Sequence, residues 1–101
     1  VLKYSASIVI DDKEIPFTKS PDLHGLQWQG KNIDIVLECT GAYRTPELLQ
    51  SYFDQNVKKV IVACPVKEGA LNIVYGVNDH EYQADKHHLL TAASCTTNCL
   101  A

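Results

Sequence analysis

NIDIVLECTGAYRTPELLQSYFDQNVKKVIVACP, residues 32–65, carries the pattern that sets the fold class. Ile33 to Leu37 is a compact run of branched apolar residues, and Lys59 to Cys64 contains a second. Between them stands Thr45-Pro46-Glu47. Threonine caps a helix by accepting from one of its first free backbone N–H groups, and proline suits the first helical position, where its missing N–H costs nothing. Leu48, Leu49, Tyr52 and Phe53 give that helix an apolar stripe, which is expected to fade near Asn56. The order strand, helix, strand is a βαβ unit. Continuous apolar strands joined by a helix of this length favour parallel neighbours covered on both faces, hence an α/β sheet.

Working outward toward the carboxyl end, Val66 to Ala70 reads as a loop and Leu71 to Val77 as a further strand. Asn78-Asp79 is expected to cap one short turn, and His88 to Ala92 to form the last strand. Ser94 is then placed to cap a helix that begins with Cys95. Toward the amino end, Ala6 to Ile10 and Glu14 to Thr18 read as the strands of a hairpin, with Asp11-Asp12-Lys13 as its turn. From Ser20 to Lys31 prolines, glycines and polar residues dominate, and Leu23, Leu26 and Trp28 are expected to cover the edge of a core.

Composition narrows the function classes. The 101 residues are 46% apolar and 21% charged, which is ordinary for a globular protein. A net charge of -3 from 9 basic and 12 acidic residues, without blocks of one sign, offers no footprint for nucleic acid or an anionic membrane. Apolar runs such as Val60 to Cys64 are too short to cross a bilayer, and the start at Val1 shows no signal-peptide order. The missing initiator methionine suggests a piece of a longer protein. Cysteines 39, 64, 95 and 99 read as reduced thiols of a cytoplasmic protein. Cys-x3-Cys with no second close pair, and histidines scattered at 24, 80, 87 and 88, match no standard zinc spacing, so no metal site is expected.

The chemistry concentrates at Cys95. A cysteine in the first turn of a helix, at the carboxyl end of a parallel strand, lies where open α/β sheets place their ligands. The positive end of the helix dipole favours its thiolate there. Cys99, one turn deeper, reads instead as a small buried apolar residue. Position alone leaves Cys95 open between a nucleophile and an ordinary helix start.

Ser94-Cys95-Thr96-Thr97-Asn98-Cys99-Leu100-Ala101 resembles the active-site signature of the phosphorylating glyceraldehyde-3-phosphate dehydrogenases. Glu38-Cys39-Thr40-Gly41 resembles that family's strand end beside the cofactor, and Lys59 to Pro65 its next strand and loop. Tyr75-Gly76-Val77-Asn78 resembles the stretch before the catalytic cysteine. Similarity runs throughout Asp34 to Ala101. It is looser from Val1 to Gly30, through the hairpin and Leu26-Gln27-Trp28.

The resemblance implies an internal piece of a larger enzyme. Residues 1–94 would be part of an NAD(P)-binding domain, the second half of a Rossmann-type parallel sheet with an N-terminal β-hairpin, and residues 95–101 would begin the catalytic domain. It implies Cys95 as the nucleophile that adds to glyceraldehyde 3-phosphate, with hydride transfer to NAD or NADP and cleavage of the resulting thioester by phosphate. Ser94 and Thr96 would hold phosphate oxygens; their other reading is helix capping, and the two can coexist. Thr40, Gly41 and Ala63 would border the cofactor, with Tyr43 beside the adenine where the family often has phenylalanine. Thr40 and Gly41 also read as a plain strand-to-loop exit. The family usually has serine where Ala63 stands and alanine where Cys64 stands, which removes one side-chain contact to the cofactor.

The implied full-length protein is a cytoplasmic homotetramer. Its Gly-x-Gly-x-x-Gly fingerprint, its base and its substrate-binding arginine lie outside these residues, so the 101 residues alone are expected to be inactive. His87 and His88 read as the solvated start of the last strand, away from Cys95. Pro65 to Asn72 and His87 to Ala93 look most like the bacterial branch encoded beside an arsenical exporter, in which arsenate would replace phosphate. An erythrose-4-phosphate dehydrogenase is a neighbouring reading. A non-catalytic thiol redox module, with Cys95 and Cys99 oxidising as a pair, is one from another class.

Overall fold

The computed structural model describes residues 5–18, 28 and 30–100. Leu23 and Leu26, expected to cover the core, lie outside the described residues. Strands β1 (Ser5–Ile10) and β2 (Lys13–Thr18) form the expected antiparallel hairpin, with Ile10 opposite Lys13. The turn is one residue tighter than the sequence suggests. Asp11 and Asp12 alone make it, at φ 50° and 64°, the left-handed pair that matches the twist of a two-residue hairpin.

Four strands form the parallel sheet: β3 (Ile35–Glu38), β4 (Lys59–Val62), β5 (Leu71–Asn72) and β6 (Leu89–Thr91), in the spatial order β3-β4-β6-β5. Every neighbouring pair is parallel. Helix α1 (Pro46–Phe53) joins β3 to β4 and begins as the sequence dictates: Pro46 opens it, and Thr45 Oγ1 accepts from the Leu48 N–H at 3.3 Å. The Asp54 N–H closes its last turn on Gln50 O at 2.9 Å, and Asn56 carries the chain out at φ 67°.

Register places Val36, Val60 and Leu89 side by side, and Glu38, Val62 and Thr91 one step further along. This face packs against Leu49 and Tyr52 of α1, with Val57 and Val66 completing the core. Leu49 is fully buried, worth about 2–3 kcal/mol relative to leaving it in water. Leu48, expected in the same stripe, is 49% exposed because it points off the Leu49–Tyr52–Phe53 face. Trp28 covers the core edge as expected, stacking on Tyr52 with ring centroids 5.7 Å apart. On the opposite face Ile35 and Leu37 are exposed, so among the described residues β3 is covered on one side only.

Strand β5 is the main departure from the sequence reading. It ends at Asn72, not Val77. The Ile73 N–H still reaches Thr91 O, but the Val74 N–H is taken by the Asn78 side chain at 2.7 Å, and the Val77 and Asn78 N–H groups both turn back to Val74 O. A local side-chain acceptor outcompetes the ladder. Asn78 therefore does not cap the following short 3₁₀ turn at Asp79–Glu81 through its side chain.

Candidate active site

The strand register levels the carboxyl ends of the sheet: Glu38 lies beside Val62, Val62 beside Thr91, and Thr91 beside Asn72. The segments leaving the strands therefore emerge along one edge. Thr40 and Gly41 come after β3, Ala63 after β4, and Ser94, Cys95 and Thr96 after β6. The structure gathers at this edge all six residues that the sequence singles out. The β3–β4 ladder runs up to the start of the second loop, since the Ala63 N–H donates to Glu38 O at 2.9 Å. His88 lies at the opposite end of β6, and the His87 ring is engaged there, its Nδ1 accepting from the Gln83 N–H at 2.9 Å.

Glu38 organises the β3 exit, a role that the sequence reading misses. Its carboxylate is buried, 2% exposed. Oε1 accepts from the Thr40 N–H at 2.8 Å and from the Thr40 hydroxyl at 2.5 Å, and Oε2 accepts from the Tyr52 hydroxyl. Burial and the hydrogen bond to Glu38 raise the Tyr52 pKa well above the ordinary phenol value, so Tyr52 stays protonated as a donor. Thr40 Oγ1 in turn accepts from the Ala42 N–H at 3.1 Å, and Arg44 Nε donates to Gly41 O at 2.9 Å. Gly41 sits at φ 76°, and among the described residues no atom stands within 4 Å of where a Cβ would be, which leaves that side of its backbone open. Tyr43 is half-buried against the core. A groove of about 720 Å³ opens between the loops after β3 and β4, lined by Arg44, Pro46, Glu47, Pro65 and Lys67.

The β6 exit is built differently. After Thr91 the chain turns at Ala93, whose φ is 60°. Helix α2 (Cys95–Leu100) then starts under Ser94, whose Oγ accepts from the Thr97 N–H at 3.1 Å and lies 2.8 Å from Thr97 Oγ1. Ser94 is thus the cap that the sequence implies. Asn98 Nδ2 donates to Ala92 O at 3.1 Å and to Ser94 O at 2.7 Å, tying the helix to the turn before it. Cys95 is exposed at the first helical position, and Thr96 is exposed beside it.

Cys99 corrects the sequence reading. It is exposed, not buried, because α2 buries none of its residues and no described element covers it. Cys39 is also exposed, while Cys64 is half-buried against the core. Besides Glu38, the sequence reading misses Thr91, which is 2% exposed, and Ala93. The available signal is a polar residue closing each of two otherwise apolar strands.

An exposed thiol at a capped helix start and a glycine loop at positive φ thus share one edge of the sheet. No family model matches the chain. Over 94 residues, 93% of its length, the chain is 55% identical to glyceraldehyde-3-phosphate dehydrogenase 3 of Nostoc sp., of which it covers 28%. It is 39% identical over 95 residues to glyceraldehyde-3-phosphate dehydrogenase of Geobacillus stearothermophilus and 37% identical over 95 residues to glyceraldehyde-3-phosphate dehydrogenase 2 of Bacillus subtilis, covering 28% of each. These three relatives are glyceraldehyde-3-phosphate dehydrogenases, and the chain spans 28% of the length of each.

Proposed function

We propose that the chain is the part of an NAD-dependent phosphorylating glyceraldehyde-3-phosphate dehydrogenase that borders the cofactor and supplies the nucleophile. The observation that carries this reading is the placement of Cys95 at a capped helix start on the same sheet edge as the open Gly41 loop. In this reading the sheet is the second half of a Rossmann-type sheet, residues 1–94 belong to the dinucleotide-binding domain, and residue 95 begins the catalytic domain.

The Cys95 thiolate adds to the aldehyde carbon of glyceraldehyde 3-phosphate and forms a hemithioacetal. A bound dinucleotide would supply the hydride acceptor for that carbon, and a base that is not among these residues would take the hydroxyl proton. The product is a thioester on Cys95. Phosphate oxygen then attacks the thioester carbonyl, the C–S bond breaks, and 1,3-bisphosphoglycerate departs as the thiolate is restored. Sulfur suits both halves, being nucleophilic at neutral pH and a good leaving group from an acyl carbon. Thr96 and the Ser94 hydroxyl, placed at the helix start, would bind phosphate oxygens with the first backbone N–H groups. The left-handed Gly41, the Thr40 loop and Ala63 would border the dinucleotide, with the Tyr43 ring against its adenine.

Arsenate in place of phosphate and NADP in place of NAD are alternatives within this reading, and the sequence resemblance alone supports a homotetramer and a cytoplasmic location. The test is NADH formation from glyceraldehyde 3-phosphate, NAD and phosphate by the whole protein, with mass spectrometry of the quenched enzyme. An acyl adduct on Cys95 and loss of turnover in Cys95→Ser are expected. Full turnover in Cys95→Ser sinks the reading, and a reversible loss of two hydrogens across Cys95 and Cys99 without turnover favours a redox module.

A further inference from the structure

Among the described residues Cys95 is exposed and α2 buries no side chain, so within this segment its place is set by the turn that leads into the helix and by the Asn98 side chain that ties the two together. That turn is made at Ala93, whose φ of 60° lies in the left-handed region that a residue with a Cβ avoids, and whose side chain is buried. Such a conformation persists only where the surroundings over-determine it.

Here the surroundings are a directed chain of hydrogen bonds. The Ala93 N–H donates to Thr91 Oγ1 at 2.9 Å, and Thr91 spends its single proton on Asn72 Oδ1 at 2.5 Å. The orientation of the Asn72 amide is fixed by Val66, in the loop between β4 and β5. Its Nδ2 donates to Val66 O at 3.1 Å, and its Oδ1 also receives the Val66 N–H at 3.4 Å. Asn78 Nδ2 holds the Asn72 backbone O at 2.9 Å. With Asn72 presenting an oxygen, the Thr91 hydroxyl points its proton away from Ala93 and offers it a lone pair. A valine of the same shape could not do this.

We propose that Thr91, oriented by Asn72, is the positioning residue for the Cys95 thiol: it touches no substrate and acts by holding the left-handed turn at Ala93. This rests on the reading of Cys95 as the nucleophile. Removing the Thr91 hydroxyl leaves the Ala93 N–H without its acceptor, and the turn relaxes toward ordinary φ. The thiol then moves relative to the cofactor edge, and displacement by about an ångström costs on the order of a hundredfold in rate.

The experiment compares Thr91→Val, Thr91→Ser and Asn72→Ala in the whole protein. Thr91→Val is expected to lower kcat by roughly ten- to a hundredfold with KM for NAD and for glyceraldehyde 3-phosphate within about twofold, the signature of a misplaced reacting group. Thr91→Ser, which keeps the hydroxyl, should recover kcat to within about threefold, and Asn72→Ala should lower it less than Thr91→Val. In parallel, peptide mapping of iodoacetamide labelling reads the Cys95 rate against Cys39 of the same molecule, and Thr91→Val should change that ratio while Thr91→Ser preserves it.

An unchanged kcat and labelling ratio in Thr91→Val overturns the proposal, as does Thr91→Ser behaving like Thr91→Val. If Thr91→Val does not fold, Asn72→Ala decides by the same two readouts. Turnover that survives Cys95→Ser defeats the nucleophile reading instead, and the labelling ratio still reports whether Thr91 positions the thiol.

Discussion

The Tyr52 hydroxyl of α1 donates to Glu38 Oε2 at the end of β3, so a helix in the core holds the one carboxylate buried among the described residues. The other carboxylate oxygen holds Thr40, and the core is thereby linked to the loop at the sheet edge. Tyr52→Phe keeps the ring and its stacking on Trp28 but removes a donor from a buried charge. The expected loss is about 1–3 kcal/mol of stability, measured by denaturant unfolding of the whole protein.

The same pair sets a dependence on alkaline pH. The folded Tyr52 pKa is raised above its unfolded value of 10.0, chiefly by burial and then by Glu38. Below that value both states hold the proton and the contribution of the pair is fully present. As pH rises above it, the unfolded chain releases the proton while the folded chain retains it, so stability falls toward the raised folded pKa. Tyr52→Phe should lose less stability above that pH than the parent protein does. Identical alkaline slopes would show that Tyr52 is not held protonated by the fold.

Gly41 and Gly69 separate backbone strain from collision. Both have positive φ, 76° and 82°, but a Cβ on Gly41 meets nothing within 4 Å, whereas one on Gly69 falls 2.6 Å from Cγ of Pro46. Gly41→Ala should cost about 1–2 kcal/mol from conformation alone. Gly69→Ala should cost a further 1–3 kcal/mol or so, because the rigid proline ring that opens α1 has to move. Thermal unfolding of the two variants measures the difference. In the proposed enzyme Gly41→Ala should also raise KM for the dinucleotide while Gly69→Ala does not.

Much of this architecture is legible in the sequence because the deciding signals are local. Thr45 and Pro46 announce the start of α1 by chemistry confined to one turn, and the apolar runs on either side have strand length. The carboxyl-edge position of Thr40, Gly41, Ala63, Ser94, Cys95 and Thr96 follows from parallel strands in register. Other features depend on partners distant in the chain or on side chains that intercept the backbone. Glu38 ends an apolar run, and only the folded α1 reveals the Tyr52 hydroxyl that receives it in the core. Strand β5 stops because Asn78 captures the Val74 N–H, a competition that alternating apolar residues do not show. The turn at Ala93 carries no glycine to mark it, since a hydrogen bond from its N–H to Thr91 Oγ1 and those donated by Asn98 hold a conformation that glycine would adopt without strain.

The four thiols provide the last test, because exposure and position rank them differently. Cys39, Cys95 and Cys99 are all exposed, and Cys64 is half-buried, so exposure alone would give three fast thiols and one slow one. Only Cys95 occupies the first position of a capped helix, the position that the proposed function gives to the nucleophile. As the proposed nucleophile Cys95 should be labelled first by iodoacetamide at neutral pH, Cys39 and Cys99 more slowly and the half-buried Cys64 last, as read by peptide mapping over time. Cys99→Ser, a change at an exposed position, should leave stability within about 0.5 kcal/mol and leave Cys95 labelling unchanged. Equal rates at Cys39, Cys95 and Cys99 would mean that the helix start confers no reactivity on Cys95, and the division of roles between the two thiols of α2 would fall with it.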